Sequence, residues 1–137
     1  MKIINIFSWL LRLVVAITLL QTLYFKFTAH PDSVHIFSSL GLEPYGRIIV
    51  GIMELITSIL ILIPNTKIFG MLGSLGIIAG AIFSHLLVLG VNVQGDGGDL
   101  FALAILVFIS SSVFLWIHRE ELKAVLYQFV FRKQTKK

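Results

Sequence analysis

Four long apolar segments, joined by short polar connections, dominate the hydropathy pattern of the chain. Each segment has the roughly 20 mostly apolar residues that a membrane-spanning helix needs. Pro64 and Asn65 supply a stop and a tight turn between the second segment and the third. The pattern therefore predicts four transmembrane helices, at about Ile4 to Phe27, Pro44 to Ile63, Ile68 to Leu89 and Asp99 to Ile117.

The sequence changes character at His118, where charged residues begin to alternate with apolar ones at helical spacing. That pattern is typical of a helix lying in the membrane interface. The predicted fold is all-α, an integral membrane four-helix bundle over residues 1–117 with a C-terminal amphipathic interfacial helix in a basic tail over residues 118–137. The apolar positions of that helix are Leu122, Val125, Leu126, Phe129 and Val130.

Composition supports a membrane protein and removes several kinds of chemistry. Hydrophobic residues make up 57% of the chain and charged residues 13%, against about 25% charged in an average soluble domain. Cysteine is absent, which excludes disulfides, cysteine-bound zinc, iron–sulfur clusters and a thiol relay within this chain. The connections are too short to form a soluble catalytic domain.

The positive charges are concentrated at one end of the chain. Of the 11 Lys and Arg residues, those from Arg119 onward make up more than half, and the net charge is +4. A basic tail after a membrane span is a topology signal and an anchor to anionic lipid. It favours the lipid bilayer over nucleic acid as partner. With Lys2 and Lys67 on the same side, both termini are predicted to be cytoplasmic.

Small residues line one surface of the third predicted span. Small residues let helix backbones approach closely in lipid. The surface predicts tight packing inside the bundle or the seam of a homodimer. Its members are Gly70, Gly73, Gly76, Gly80 and Ala81.

Ionisable residues inside the predicted spans are the strongest indication of a functional site. On insertion scales a charge at mid-membrane costs about 2.5–3.5 kcal/mol, so such residues are functional by default. Arg47 and Glu54 are seven residues apart, which places them on one helix face with Gly51 and Ser58. The ionisable residues concerned are Arg12, Lys26, Glu54 and His85, with Arg47 and Asp99 nearer the ends.

Depth in the membrane predicts which of these groups meet. Lys26, Glu54, His85 and Asp99 all fall toward the outer half of the bilayer in the predicted topology. Arg12 is about 21 Å from Lys26 along the first helix. It is therefore expected on the cytoplasmic side, beside Ser8 or the serines at 110–112.

Structural roles remain open for each group. Glu54 could pair with Arg47 or Lys26 only to set the register of the helices, and Arg12 and Lys26 could snorkel to the interfaces. His85 could be a satisfied core residue, a hydrogen-bond donor to a ligand, or a haem ligand opposite His30 or His35. No metal-binding motif such as HExxH is present, and no metal is predicted.

Several short motifs, taken in order, resemble the DoxX-like membrane family over roughly Leu10 to Trp116. The resemblance implies a four-helix membrane bundle in the bacterial-type inner membrane. Founding members of the family are subunits of thiosulfate:quinone oxidoreductase or quinol-oxidase systems, and others act beside partner proteins. The matching features are Arg12, Phe25-Lys26-Phe27, FSSLGLEPYG at 37–46, Glu54-Leu55 before ILIP, and GAIFSHL at 80–86.

Residue chemistry and resemblance together predict a quinone or a similar hydrophobic redox ligand, bound in a pocket that opens between the helices from the outer half of the bilayer, with Lys26, Glu54 and His85 as candidate catalytic residues. Glu54 would accept a proton, and Lys26 or His85 would donate to a quinone carbonyl. A protein partner or a homo-oligomer is expected. Candidate ligand-binding residues are Arg12, Arg47 and Asp99, and Phe25, Phe27, Phe83 and Phe101 are candidates to enclose the ring.

Two rival functions remain. The first is a non-catalytic assembly, chaperone or cargo-handling protein whose polar cluster only locks the bundle. The second is a proton- or ion-coupled transporter, which the small size and the lack of a detectable inverted repeat disfavour.

Overall fold

A computed structural model of the chain describes residues 2–132, and the last residues of the predicted basic tail, 133–137, lie outside that range. The described chain is helical, with a short 3₁₀ turn at Pro64–Thr66 and a π-helical turn at His85–Leu89. The α-helices are α1 (Lys2–Phe27), α2 (Pro31–Ser39), α3 (Tyr45–Leu62), α4 (Lys67–Ser84), α5 (Asp99–Ile117) and α6 (Arg119–Arg132).

The four long helices form a closed antiparallel ring. α1 packs against α3 and α5, and α4 packs against the same two helices. Short connections reverse the chain after each helix. We call the end of the bundle that carries α2 and the loop at 90–98 the α2 end, and the opposite end, where α5 joins α6, the α6 end.

α1, α3, α4 with its π-helical turn, and α5 are each long and apolar enough to cross a membrane. Large apolar side chains cover their outer surfaces, Ile17, Ile56 and Leu87 among them. A contiguous exposed apolar surface of this extent does not occur on a soluble monomer. The chain is therefore a multi-pass membrane protein, and the predicted four-helix bundle is confirmed.

α2 lies in the connection between the first two predicted spans, where the hydropathy pattern did not predict a helix. Pro31 occupies its first turn, where a missing N–H costs nothing. The backbone N–H of Asp32 donates to His30 Nδ1 at 3.3 Å, and the Asp32 carboxylate favours the helix N-terminus. α2 packs against α1, α3 and the π-helical turn, so it covers the α2 end of the bundle.

The interior of the bundle is apolar at its centre. Val15, Leu19 and Phe114 are among the fully buried side chains. Ser74 on α4 and Ser111 on α5 are also fully buried, and their hydroxyl oxygens are 2.7 Å apart. Ser74 also donates to the carbonyl of Met71 at 2.9 Å, so its oxygen can accept the Ser111 hydroxyl, and this hydrogen bond joins the two neighbouring helices.

The glycines of α4 divide into two groups. A Cβ on Gly70 would lie 2.6 Å from the backbone nitrogen of Ile61, and one on Gly73 would lie 3.0 Å from the hydroxyl oxygen of Thr57. Nothing lies within 4 Å of a Cβ on Gly76 or Gly80. The predicted packing inside the bundle is thus confirmed for Gly70 and Gly73, whereas Gly76 and Gly80 face outward.

The contrast between these glycines gives a first prediction. Gly70→Ala is expected to destabilise the bundle by about 1–3 kcal/mol, because the new methyl group meets backbone atoms of α3 that cannot move aside. Gly76→Ala is the matched control and should leave stability nearly unchanged. Reversible unfolding in mixed detergent measures both. Equal stability of the two variants would contradict the close approach of α3 and α4 at Gly70.

Candidate functional site

α1 and α3 bring Lys26 and Glu54 together in the membrane-spanning part of the bundle. Lys26 Nζ lies 2.9 Å from Glu54 Oε2, and the two side chains are only 13% and 7% exposed. The hydroxyl of Thr22 donates to the same carboxylate oxygen at 3.0 Å. We call these two charged residues the Lys26–Glu54 pair.

Helix geometry explains why Lys26 points inward instead of snorkelling. The Cα–Cβ bonds of a helix tilt toward its N-terminus. Lys26 lies at the C-terminal end of α1, so this tilt directs its side chain toward the middle of the bundle. Thr22 lies one turn earlier on the same face. Both groups therefore reach the same carboxylate.

α3 presents a polar face to α1, as its spacing predicted. Arg47, Gly51, Glu54 and Ser58 are all buried. A Cβ on Gly51 would lie 2.9 Å from the Phe27 ring and 3.6 Å from the Lys26 Cβ. The absent side chain at Gly51 therefore allows the end of α1 to approach α3 where the Lys26–Glu54 pair forms.

Arg47 pairs with Glu43, not with Glu54. Its Nε lies 2.9 Å from Glu43 Oε1 and 3.0 Å from Oε2. A second nitrogen, Nη1, donates to the backbone carbonyl of Lys26. Of the two pairings open for Glu54 from sequence, the one with Lys26 is formed. Glu43 is four residues before Arg47, a spacing that itself indicates such a pair.

His85 is buried but does not join the Lys26–Glu54 pair. Contact with the pair, direct or through a single water, was predicted; among residues 2–132 no direct hydrogen bond or ion pair links His85 to Lys26 or Glu54. The π-helical turn brings Gly90 back to His85 instead: Gly90 N–H donates to the His85 carbonyl at 2.7 Å. His85 Nδ1 lies 2.9 Å from the Gly90 carbonyl, and Phe101 packs edge-on against the ring.

The contact with Gly90 fixes the tautomer of His85. A carbonyl oxygen only accepts hydrogen bonds, so Nδ1 must carry the proton that is shared with Gly90. In the neutral ring Nε2 is then an acceptor. Toward a ligand, a neutral His85 ring would accept a hydrogen bond at Nε2; donation to a quinone carbonyl was one of the roles left open from the sequence.

Asp99 is exposed at the start of α5, whereas Asp96 organises the loop before it. Asp96 Oδ1 accepts the backbone N–H of Gly98 at 2.8 Å and that of Val93 at 3.0 Å. Its Oδ2 accepts the N–H of Leu100 at 3.1 Å. Asp96 was not among the site residues predicted from the sequence, although an aspartate just before an apolar helix is a known start signal.

The contacts of Asp96 predict a pH-dependent stability. Hydrogen bonds from Gly98 and then Leu100 hold the pKa of Asp96 below its ordinary value. The stabilisation is therefore complete above about pH 4, the unfolded pKa, and is lost as the pH falls further. The difference in melting temperature between the native chain and Asp96→Asn should shrink below that pH. A difference that widens on acidification, or one matched by Asp99→Asn, would contradict this assignment.

Arg12 lies at the α6 end and is only 3% exposed. Its Nε donates to the carbonyl of Ile61 at 2.7 Å and its Nη2 to that of Leu62 at 2.8 Å. The guanidinium carbon also lies 3.7 Å above the centre of the Trp9 ring. A separate position on this side was predicted and is found, but the serines expected as partners are replaced by backbone carbonyls.

Two of the serines expected near Arg12, Ser8 and Ser111, have other partners. Ser8 contacts His118 Nε2 at 3.4 Å, and Ser111 contacts Ser74. The His118 ring also stacks on Phe114 with 4.2 Å between ring centres. These contacts hold the start of α1 against the junction of α5 and α6.

The aromatic residues proposed around a ligand do not form one cage. Phe27 lies beside Gly51, close to the Lys26–Glu54 pair, and Phe101 packs on His85. Phe25 contacts the rings of Tyr24 and His30, and Phe83 is exposed on the outer surface. His30, one of the two histidines considered as a second haem ligand, contacts Phe25 and Asp32.

The arrangement defines a class of protein: a small multi-pass bundle with an ion pair, Lys26–Glu54, between two of its membrane-spanning helices. The sequence model of the DoxX-like family matches residues 10–110. The chain belongs to this family, as its motifs indicated. Comparison with curated proteins and with solved structures found no match to this chain.

Proposed function

We propose that this chain is a membrane subunit that binds a quinone or a similar hydrophobic redox ligand beside the Lys26–Glu54 pair. It acts with a partner oxidoreductase, because residues 1–137 contain no cysteine to carry electrons and the connections between the spanning helices are short. The observation that carries the proposal is an ammonium and a carboxylate 2.9 Å apart within membrane-spanning helices. Such groups are costly in hydrocarbon and are retained for function.

The donors and acceptors of this cluster fit a quinone head group. The Lys26 ammonium has three N–H donors, of which the Glu54 carboxylate requires one, and the Thr22 hydroxyl lies beside them. The contacts of the Glu54 carboxylate with Lys26 and Thr22 both involve Oε2, so Oε1 is the oxygen that could accept a hydrogen bond from a ligand. A bound quinone would supply a carrier for electrons and protons in the bilayer. Lys26 would orient a carbonyl, and Glu54 would hold or accept a proton.

A structural role is the second candidate, and one observation favours it. Among residues 2–132 every side-chain nitrogen and oxygen that is sealed from solvent has a hydrogen-bond partner. Lys26 is matched by Glu54, and Arg47 by Glu43. A cluster satisfied in this way could serve only to set the register of α1 and α3 in an assembly protein.

Ligand retention separates the two candidates. The native chain, Glu54→Gln and the matched exposed control Glu120→Gln would be purified in mild detergent, and extracted quinones would be quantified by mass spectrometry. We expect quinone with the native chain and the control, and a large loss with Glu54→Gln. Lys26→Met/Glu54→Gln, which removes both charges, gives a second test if the single variant unfolds. If quinone is absent from the native chain, or is retained by both site variants, the ligand-binding function is contradicted and the structural role is favoured.

The membrane and its orientation are part of the proposal. We infer an inner membrane of the bacterial type with both termini cytoplasmic, on the basis of the Lys and Arg asymmetry. Because the chain has no cysteine, single cysteines at Gly95 and Thr135 report topology cleanly. An impermeant reagent applied to intact cells should modify the first and not the second. Labelling at Thr135 and not at Gly95 would show that the predicted orientation is wrong.

A further inference from the structure

α6 differs from the other long helices because none of its residues is buried. It begins at Arg119, two residues after the membrane-spanning helix α5 ends at Ile117. The helix therefore starts at the level where α5 leaves the apolar part of the bundle. Its surroundings on the exposed side must be the membrane interface, water or another protein.

One face of α6 is held against the bundle. Glu121 pairs with Lys67 at the start of α4 at 3.3 Å. Phe129 lies edge-on to Phe69, also on α4, with 5.9 Å between ring centres. Leu122 packs against the core cluster. These contacts direct α6 sideways across the α6 end of the bundle.

The outward face of α6 changes character along its length. Its first half carries Arg119, Glu120 and Lys123, and its second half carries exposed apolar side chains. Lys123 and Val130 are seven residues apart and so point in nearly the same direction. Val130 is 60% exposed. The apolar residues of this second half are Leu126, Tyr127, Val130 and Phe131.

The charges around this apolar half are mostly positive. The acidic residues of α6 are already engaged: Glu120 with Lys123 at 3.1 Å, and Glu121 with Lys67. Residues 133–137 of the sequence then contain Lys133, Lys136 and Lys137 and no acidic residue. A basic segment directly after exposed apolar residues is complementary to an anionic lipid surface.

We propose that the second half of α6 inserts into the interface of the membrane that the bundle spans, and that the basic segment which follows binds anionic phospholipid headgroups. The apolar side chains at 126–131 would enter the boundary between headgroups and acyl chains. The charged first half would remain in water. The sign of the charge favours anionic lipid over a protein partner for this face.

Accessibility of single labels tests the insertion. Val130→Cys and its matched control Lys123→Cys would carry spin labels in the full-length protein, reconstituted in bilayers of phosphatidylcholine with phosphatidylglycerol. We expect the label at Val130 to be reached by oxygen and protected from a water-soluble nickel reagent, and the label at Lys123 to show the reverse. Equal exposure of both labels to the nickel reagent would overturn the proposal.

Lipid charge is tested separately. In pure phosphatidylcholine, and in the triple variant Lys133→Gln/Lys136→Gln/Lys137→Gln, the Val130 label should become more accessible to the nickel reagent. Added salt should act in the same direction. A Val130 label unaffected by lipid charge or by the triple variant would overturn the role of anionic headgroups. Protection of Val130 only after a purified protein partner is added would assign the face to that partner.

Discussion

Glu54→Ala is expected to destabilise the folded bundle by about 3–5 kcal/mol, because it leaves the Lys26 ammonium charged and without its carboxylate. The Thr22 hydroxyl loses one of its two acceptors in the same variant and keeps the carbonyl of Leu19 at 2.8 Å. Reversible unfolding in mixed detergent, followed by circular dichroism, measures the loss. The exposed control Glu120→Ala removes a surface pair and should cost no more than about 1 kcal/mol.

The double variant Lys26→Met/Glu54→Gln distinguishes a coupled pair from two separate contributions. Replacing a buried pair by groups of similar volume is often close to neutral, so the double variant should recover most of the stability that Glu54→Ala loses. It then offers a folded protein in which ligand retention can be measured. A double variant no more stable than Glu54→Ala, or a fully stable Glu54→Ala, would contradict the pairing.

Arg12→Ala is expected to cost about 3 kcal/mol or more, since each of its two charge-assisted hydrogen bonds contributes about 1.5–3 kcal/mol. The carbonyls that it binds, at Ile61 and Leu62, are the last of α3 and have no partners within the helix. Pro64 prevents the helix from continuing. Arg12 thus supplies the cap, and its positive charge favours the helix C-terminus.

Conservative replacement gives the control for this role. Lysine cannot reproduce the fork that binds both carbonyls, so Arg12→Lys should recover only part of the stability lost in Arg12→Ala. Arg119→Ala removes an exposed guanidinium that lies over Trp116 and should have a small effect. Hydrogen exchange at residues 61–66 should increase in Arg12→Ala. Unchanged exchange there would show that Arg12 does not cap α3.

The membrane fold was predictable because hydropathy and length determine a spanning helix. All four spans were placed within a few residues of the structure. α2 was missed because its nine residues are too few for a hydropathy signal, although Pro31 and Asp32 are typical of a helix start. The π-helical turn at His85 has no comparable pattern in a sequence, since it depends on one extra residue in a turn.

The site was predictable only where side-chain spacing carries the information. The shared face of Arg47 and Glu54 follows from helical periodicity, but their phase alone does not choose between Lys26 and Arg47 as the partner of Glu54. The partners of Arg12 are backbone carbonyls, and because every residue has one, no pattern of side chains in the sequence identifies them. His85 was placed correctly in the interior, and the local contact with Gly90 determined where its ring points.

Cross-linking with a photoreactive quinone analogue tests the central claim most directly. The full-length protein in bilayers would be irradiated with the analogue, digested and mapped by mass spectrometry. We expect cross-links concentrated on residues 22–27 of α1 and 51–58 of α3. Excess unmodified quinone should abolish them, and the double variant Lys26→Met/Glu54→Gln should reduce them strongly. Cross-links scattered over the lipid-facing surface, insensitive both to competition and to the double variant, would contradict a ligand site beside the Lys26–Glu54 pair.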